Sequence, residues 1–156
     1  MSGGELALRL LAAFRGLVDD VHAELAAHGH PGVRPAHGFA LQAIGSGGAT
    51  AGELALRLGV SKQAAGKTVD GLAALGYVER AVDPADARRK VVGLTAAGRE
   101  VLDLSGRAFD RARGGRLAGV DAAQVAAFEQ VLRALTDGDA PGFDAASWLA
   151  GPDPSS

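Results

Sequence analysis

The 156-residue sequence predicts a mainly α fold with a small β-hairpin wing, a winged helix-turn-helix set on a helical dimerisation region. Three observations predict it. Apolar residues recur at three- and four-residue steps through most of the chain. A helix–glycine–helix unit is followed at once by two short β-type segments around a polar tip that contains a proline. Aromatic residues are only 4% of a chain that is 47% hydrophobic, so alanine and leucine must supply the packing, which favours close-packed helices over an aromatic-rich sheet.

Residues 5–27 form the first helix, with Leu6, Leu10, Phe14, Leu17, Val21 and Leu25 as its apolar stripe and Leu8, Leu11 and Val18 widening it. The HGHPG stretch at 28–32 ends it. A second helix covers 35–44, where Pro35 is tolerated in the first turn, and the GSGG stretch at 45–48 breaks it. Thr50 and Glu53 make a capping box for a helix over 50–58. Gly59 and Val60 form the turn, Ser61 caps a helix running to about Ala74, and Gly76 ends that helix. Tyr77–Val82 and Lys90–Leu94 read as strands around the tip DPADARR. Thr95 caps a helix over 96–113, with Val101, Leu104, Ala108 and Ala112 on one face and a break near Gly114–Gly119. Asp121 and Gln124 resemble another capping box, opening a last helix whose apolar face is Val125, Phe128, Val131, Leu132 and Leu135.

This divides the chain into a helical dimerisation region, 5–34 and 96–135, a winged helix-turn-helix lobe, 35–95, and a partly flexible tail, 136–156. Within the tail, Phe143, Trp148 and Leu149 are expected to anchor a short turn or helix, with 151–156 loose. The outer helices carry more apolar surface than the small lobe needs. A twofold homodimer buries it and presents two recognition helices to two half-sites.

The net charge of −2 argues against a nucleic-acid binder until its distribution is considered. Residues 50–99 hold eight Lys/Arg against five Asp/Glu, a surplus of three positive charges on an otherwise acidic chain. On the helix from Ser61, the positions Ala65, Val69 and Leu72 face inward, and Lys62, Gln63, Gly66, Lys67 and Asp70 face outward. Gln63 can pair with an adenine edge, and Lys67 can reach guanine acceptors or a phosphate. Ser61 and Lys62, at the positive end of the helix, suit phosphate contacts. Thr68 lies to the side, available to the DNA backbone or to packing. On the hairpin, Arg88, Arg89 and Lys90 form a second basic feature, one arginine suited to the minor groove and the rest to phosphates. Asp86 is expected to pair with Arg88 and hold the tip, leaving Arg89 freer to approach DNA.

These same residues closely resemble the MarR family of bacterial winged-helix transcription regulators. The resemblance is carried by LALRLGVSKQAAGKTVDGLAALGYVER, by the wing DPADARRKVVGLT and the following AAGRE, and by VRPAHGFALQAI, and it covers roughly residues 5–135. It implies a homodimer whose first, penultimate and last helices intertwine, and winged lobes that bind double-stranded DNA at a palindromic operator. It also implies repression of nearby genes by excluding polymerase, relieved when a small phenolic or otherwise amphipathic effector enters the cleft between the dimerisation region and the winged lobe. Asp86 and Arg88 match the family's wing motif, which makes Arg88 or Arg89 the wing contact. The chain departs from the family at Gly71 and Ala73, where Arg and Glu are common, and at Gly66, where a larger or polar residue is usual.

Around the expected cleft, Phe14, Arg15, His22, His37 and Phe39 are candidates for an effector pocket. The competing reading puts both phenylalanines in the core and His37 as a satisfied first-turn residue. His22, His28 and His30 invite a metal site, but they lack a compact ligand motif, so no metal and no cofactor are expected. Cysteine is absent, which excludes disulfides and thiol-based sensing. No glycine-rich nucleotide loop or nucleophile elbow is present, and Ser61 is explained as a cap, so no catalytic residue and no enzyme activity are expected. Without a leader-like or long apolar segment, a soluble cytoplasmic protein without membrane association is expected. The alternative is an architectural or protein-interaction module with weak DNA specificity, supported by Gly66 and Gly71.

Overall fold

A computed structural model describes residues 1–136, so the expectations for Phe143, Trp148, Leu149 and 151–156 lie outside the described residues. The order of elements is α1 (Gly3–Ala27), α2 (Pro35–Ile44), α3 (Ala51–Leu58), α4 (Lys62–Ala74), β1 (Val78–Asp83), β2 (Asp86–Leu94), α5 (Ala96–Leu117) and α6 (Ala122–Leu135). Side-chain caps define most of the helix starts. Ser2, Thr50, Ser61, Thr95 and Asp121 each accept a backbone N–H from the first turn that follows. At Thr50 the box is reciprocal, because Glu53 also accepts the Thr50 N–H at 2.8 Å.

The core is built around α2, which packs on α3, α4, α5 and β2. Leu25, Leu41, Ile44, Leu54, Val69, Leu72 and Val101 are its largest fully buried side chains, and burying such a side chain stabilises the fold by about 1.5–3 kcal/mol. α1 lies along α5, but only its second half is buried, through Val18, Val21 and Leu25. Two ion pairs tie these helices together, Arg111 with Glu24 and Arg116 with Asp20, the latter at 2.8 Å. The Arg116 guanidinium sits against Gly16, 2.7 Å from where a Cβ would stand. No residue of α6 is buried, and its described tie to α5 is the Arg113–Glu129 ion pair.

The structure departs from the expected elements in three places. α5 runs through Gly114 and Gly115 to Leu117 instead of ending at 113. Each glycine costs a helix about 1 kcal/mol relative to alanine, which a long cooperative helix absorbs. The second strand begins at Asp86, not Lys90, so the tip is Pro84–Ala85 alone, and the first strand is Val78–Asp83. The GSGG stretch is more than a break, because Ala49 exchanges two backbone hydrogen bonds with Val92, of 3.0 and 2.8 Å, an isolated antiparallel bridge on the open edge of β2. Gly48, at φ +73°, makes this possible, since a Cβ there would stand 2.9 Å from the Val92 carbonyl oxygen.

The winged lobe and α5 meet at a tight junction. The Thr95 hydroxyl donates to the Gly76 carbonyl at 2.7 Å, and the Thr95 N–H donates to the Tyr77 carbonyl at 3.1 Å. Gly98 lies over that same carbonyl, where a Cβ would be 2.0 Å from its oxygen. Only glycine fits. Among the described residues, no helix is long and apolar enough to cross a membrane.

Candidate nucleic-acid interface

α3 and α4 are joined at Gly59, whose left-handed conformation (φ 63°) turns the chain tightly into the Ser61 cap. α4 then buries Ala65, Val69 and Leu72 against the core that holds Leu54, Ala55 and Leu58. This leaves Ser61, Lys62, Gln63, Lys67 and Asp70 exposed on the opposite side, with Gly66 and Thr68 at its margins. Ala64 is also exposed there, a position that sequence reasoning missed because an alanine on an amphipathic helix carries no signal of its side. Two hydroxyls are partly committed to the helix itself. Ser61 accepts the Ala64 N–H at 3.1 Å, and Thr68 donates to the Ala64 carbonyl at 3.2 Å. Asp70 is neutralised by Arg80 on β1 at 2.6 Å, so it adds little repulsion toward a polyanion.

The wing is irregular where its arginines lie. Val82 pairs with Lys90 but Asp83 pairs with Asp86, leaving Ala87, Arg88 and Arg89 as a bulge on β2. A bulge twists a strand and re-aims its side chains. Two aspartates shape the turn: Asp83 accepts the Ala85 N–H at 2.9 Å, and Asp86 accepts the Arg88 N–H at 3.0 Å. Asp86 thus holds the backbone of Arg88, not its guanidinium. The expected roles of the two arginines are reversed, since Arg89 is the tethered one. Its guanidinium pairs with Glu53 on α3 and lies 3.7 Å from Asp83. The Glu53 carboxylate is held below its usual range mainly by its hydrogen bonds from Thr50, with Arg89 adding to them.

The cations of this lobe fall into two sets. Arg57 donates to the Ala43 carbonyl at 2.6 Å, Arg99 donates to the Leu94 carbonyl at 2.7 Å, Arg80 holds Asp70, and Arg89 holds Glu53. Lys62 and Lys67 on α4, with Arg88 and Lys90 on the wing, have exposed side chains that meet no partner among the described residues. None of the four enters an ion pair among the described residues, so their charge faces solvent. This is the electrostatic condition for phosphate contact.

The candidate effector residues are only partly brought together. A cavity of about 360 Å³ between α1, α2 and α5 is lined by His22 and Phe39, with Val18, Leu25, Leu102 and Phe109 among its apolar walls. Phe14 stacks on Phe39, ring centroids 6.3 Å apart and planes 13° from parallel. Arg15 is exposed and lies outside that lining. His37 is buried at the start of α2, also outside the cavity. Its Nδ1 accepts the Arg34 N–H at 3.2 Å, and its Nε2 lies 3.2 Å from where a Cβ on Gly71 would stand. Gly71 therefore has a packing reason: a larger side chain there would press on the His37 ring.

His28 and His30 are engaged elsewhere. His28 Nδ1 donates to the Glu24 carbonyl at 2.8 Å, and His30 Nδ1 hydrogen-bonds the Tyr77 hydroxyl at 2.8 Å. Among the described residues, no group of three His, Asp or Glu is placed to hold a metal ion.

Residues 32–89 match the sequence profile of the MarR family. No curated protein sequence matches the chain. Among solved structures, the chain is similar to wild-type MarR from E. coli in its apo form, at 22% identity and TM-score 0.66, covering 86% of this chain and 97% of that one. It is similar to CouR from Rhodococcus jostii bound to p-coumaroyl-CoA, at 22% identity and TM-score 0.64, covering 87% and 94%. A mutant of S. aureus MepR bound to an oligodeoxyribonucleotide shares the fold at 16% identity and TM-score 0.59, covering 88% and 98%.

Proposed function

From a chain that carries a MarR-family winged helix-turn-helix segment on the fold of MarR regulators, we propose a homodimeric, sequence-specific DNA-binding transcriptional regulator, a repressor of nearby genes that a small effector relieves. The observation that carries this reading is the sorting of cations, with Lys62, Lys67, Arg88 and Lys90 left outward on α4 and the wing while four neighbouring arginines are used internally.

In this reading α4 enters the major groove with Gln63 and Lys67 toward base edges, and Ser61 and Lys62 meet phosphates at the positive end of the helix. Arg88 reaches the minor groove from the bulge while Arg89 fixes the wing to α3, and Lys90 meets the backbone. The exposed apolar faces of α6 and of the outer halves of α1 and α5 form the dimer interface. Dimerisation sets two recognition helices on the half-sites of a palindrome. Bound dimers exclude polymerase, and an effector in the cavity between α1, α2 and α5 changes the spacing of the two helices. The protein acts in the cytoplasm and catalyses no reaction.

Selection from a random duplex library at near-physiological salt tests the reading. An enriched inverted repeat is expected, with affinity that falls steeply as salt rises. Equal binding to unrelated duplexes by the folded dimer would instead favour an architectural role, for which Gly66, with open space where a side chain would stand, offers the main support.

A further inference from the structure

The outer part of the wing has no apolar anchor. Residues 79–90 are all exposed apart from Asp83, which is half-buried, so packing does not fix where this segment stands. Two carboxylates hold it instead. Glu53 on α3 uses Oε2 to accept the Thr50 N–H at 2.8 Å, and Asp83 on β1 uses Oδ1 to accept the Ala85 N–H at 2.9 Å. Each then presents its other oxygen to Arg89. Glu53 Oε1 takes Nη2, and Asp83 Oδ2 lies 3.7 Å from Nη1. The guanidinium faces two carboxylates already oriented by backbone N–H groups, on two elements other than its own. A planar fork with separate nitrogens can serve both at once.

The clamp also sets a direction. On β1, Arg80 crosses to Asp70 on α4, while Glu79 and Ala81 line a groove between the wing, α3 and the loop at 46–49. Their partners Gly93 and Val91 line the same groove, and so does Arg89. Arg89 is therefore held on the face of the wing turned away from α4. The side chains of Arg88 and Lys90, on either side of it, meet no partner among the described residues. An arginine answered by two carboxylates adds little attraction for a phosphate backbone, and a released one adds a full contact.

We propose that Glu53 and Asp83 are specificity-setting residues of the DNA interface. By withholding Arg89 from phosphate they weaken sequence-independent binding, and they leave Arg88 as the groove-reading side chain of the wing. This rests on the reading of the chain as an operator-binding regulator. It adds an acidic pair that acts against binding to the wrong DNA.

The test is the salt dependence of binding by the full chain to a random-sequence duplex and to the selected operator. Fluorescence anisotropy between about 50 and 200 mM salt reads it. Glu53→Gln removes the charge and keeps the cap, since Gln serves in a capping box as Glu does. On the random duplex it is expected to steepen the log–log salt slope by about 0.9, the mark of one more phosphate contact, and to raise affinity about fivefold at about 150 mM. Operator affinity gains less, because the loosened wing presents Arg88 less well, so the operator-to-random ratio falls about threefold or more. Adding Arg89→Ala to Glu53→Gln returns the slope to its starting value, whereas a general gain from one lost negative charge would persist. Glu79→Gln, which removes a carboxylate from the same groove but not from Arg89, leaves the slope unchanged. An unmoved slope or ratio in a folded Glu53→Gln protein overturns the proposal, as does an equal effect from Glu79→Gln. So does a slope that drops by about 0.9 in Arg89→Ala alone, since Arg89 would then already meet phosphate. If Glu53→Gln does not fold, Asp83→Asn, whose amide oxygen still accepts the Ala85 N–H, carries the same comparisons. The random-duplex slope decides the clamp even where no operator is found. An operator selected by a chain whose slope does not move keeps the regulator reading and removes the clamp alone.

Discussion

Arg88 and Arg89 are neighbours in one bulge, yet Arg89 is tied to α3 through Glu53 while the Arg88 side chain meets no partner among the described residues. An exposed ion pair contributes about 0–1 kcal/mol, so Arg89 positions the wing more than it stabilises the fold. In the proposed complex, Arg88→Ala is expected to weaken operator binding by about tenfold or more. Arg89→Ala should cost less, and fluorescence anisotropy on the selected operator separates the two. His37 makes a different prediction. Its imidazole is held below the ordinary range, first by burial and then by the Arg34 charge beside it. As pH falls below the ordinary value of 6.5, the unfolded chain takes up this proton before the folded one does, so stability drops toward the lower folded value and is unaffected above. Urea unfolding midpoints at about pH 7.5 and about pH 5.5 should therefore differ, with the lower midpoint at the lower pH, and less so in a His37→Gln protein. The sequence offered His37 as a satisfied first-turn residue, as the structure has it, but the division between the two arginines was not legible there. An Asp-x-Arg triplet does not say whether aspartate takes the guanidinium or the backbone N–H, and a bulge that re-aims two adjacent arginines has no residue signature of its own.

At the scale of elements, the caps were the readable part. Thr50, Ser61, Thr95 and Asp121 stand where the helices start because a short side-chain oxygen before an apolar-periodic run has one local use. Glycines were read less well because their meaning is tertiary. Gly48 admits the extra bridge to Val92 and Gly71 leaves room for His37, both set by neighbours distant in sequence, while Gly114 and Gly115 are carried by the length of α5 itself. Gly98 is the sharpest case. Its replacement by alanine forces a methyl onto the Tyr77 carbonyl, and Gly98→Ala is expected to destabilise the protein by about 1–3 kcal/mol as an overpacking change. Chemical denaturation checks this, and Gly114→Ala, with nothing within 4 Å of its Cβ, serves as the contrasting substitution and should be neutral or stabilising.

At the scale of the whole molecule, α6 stands out among the described helices for a run of exposed apolar side chains. Phe128, Val131 and Leu135 on α6 are each about half exposed, as is Val120 just before it, although α6 carries the periodicity of a packed helix. In the proposed homodimer these residues meet a second copy. A Phe128→Glu, Val131→Glu double variant is expected to sediment as a monomer and to lose at least about a hundredfold in operator affinity, because one half-site then binds alone. Sedimentation at the concentrations used for DNA binding checks both. The junction at Thr95 and Gly98 then acquires a mechanical sense. Because α5 is pinned at its first turn to the chain leaving α4, it behaves as a lever whose fulcrum lies beside the winged lobe. Its 22 residues span about 33 Å, so a tilt of about 5° at the junction swings the far end by about 3 Å. Run in reverse, in the proposed homodimer a small shear between two copies at their far ends would become a rotation of each α4, and a molecule lodged beside α5 would act on groove spacing without touching DNA.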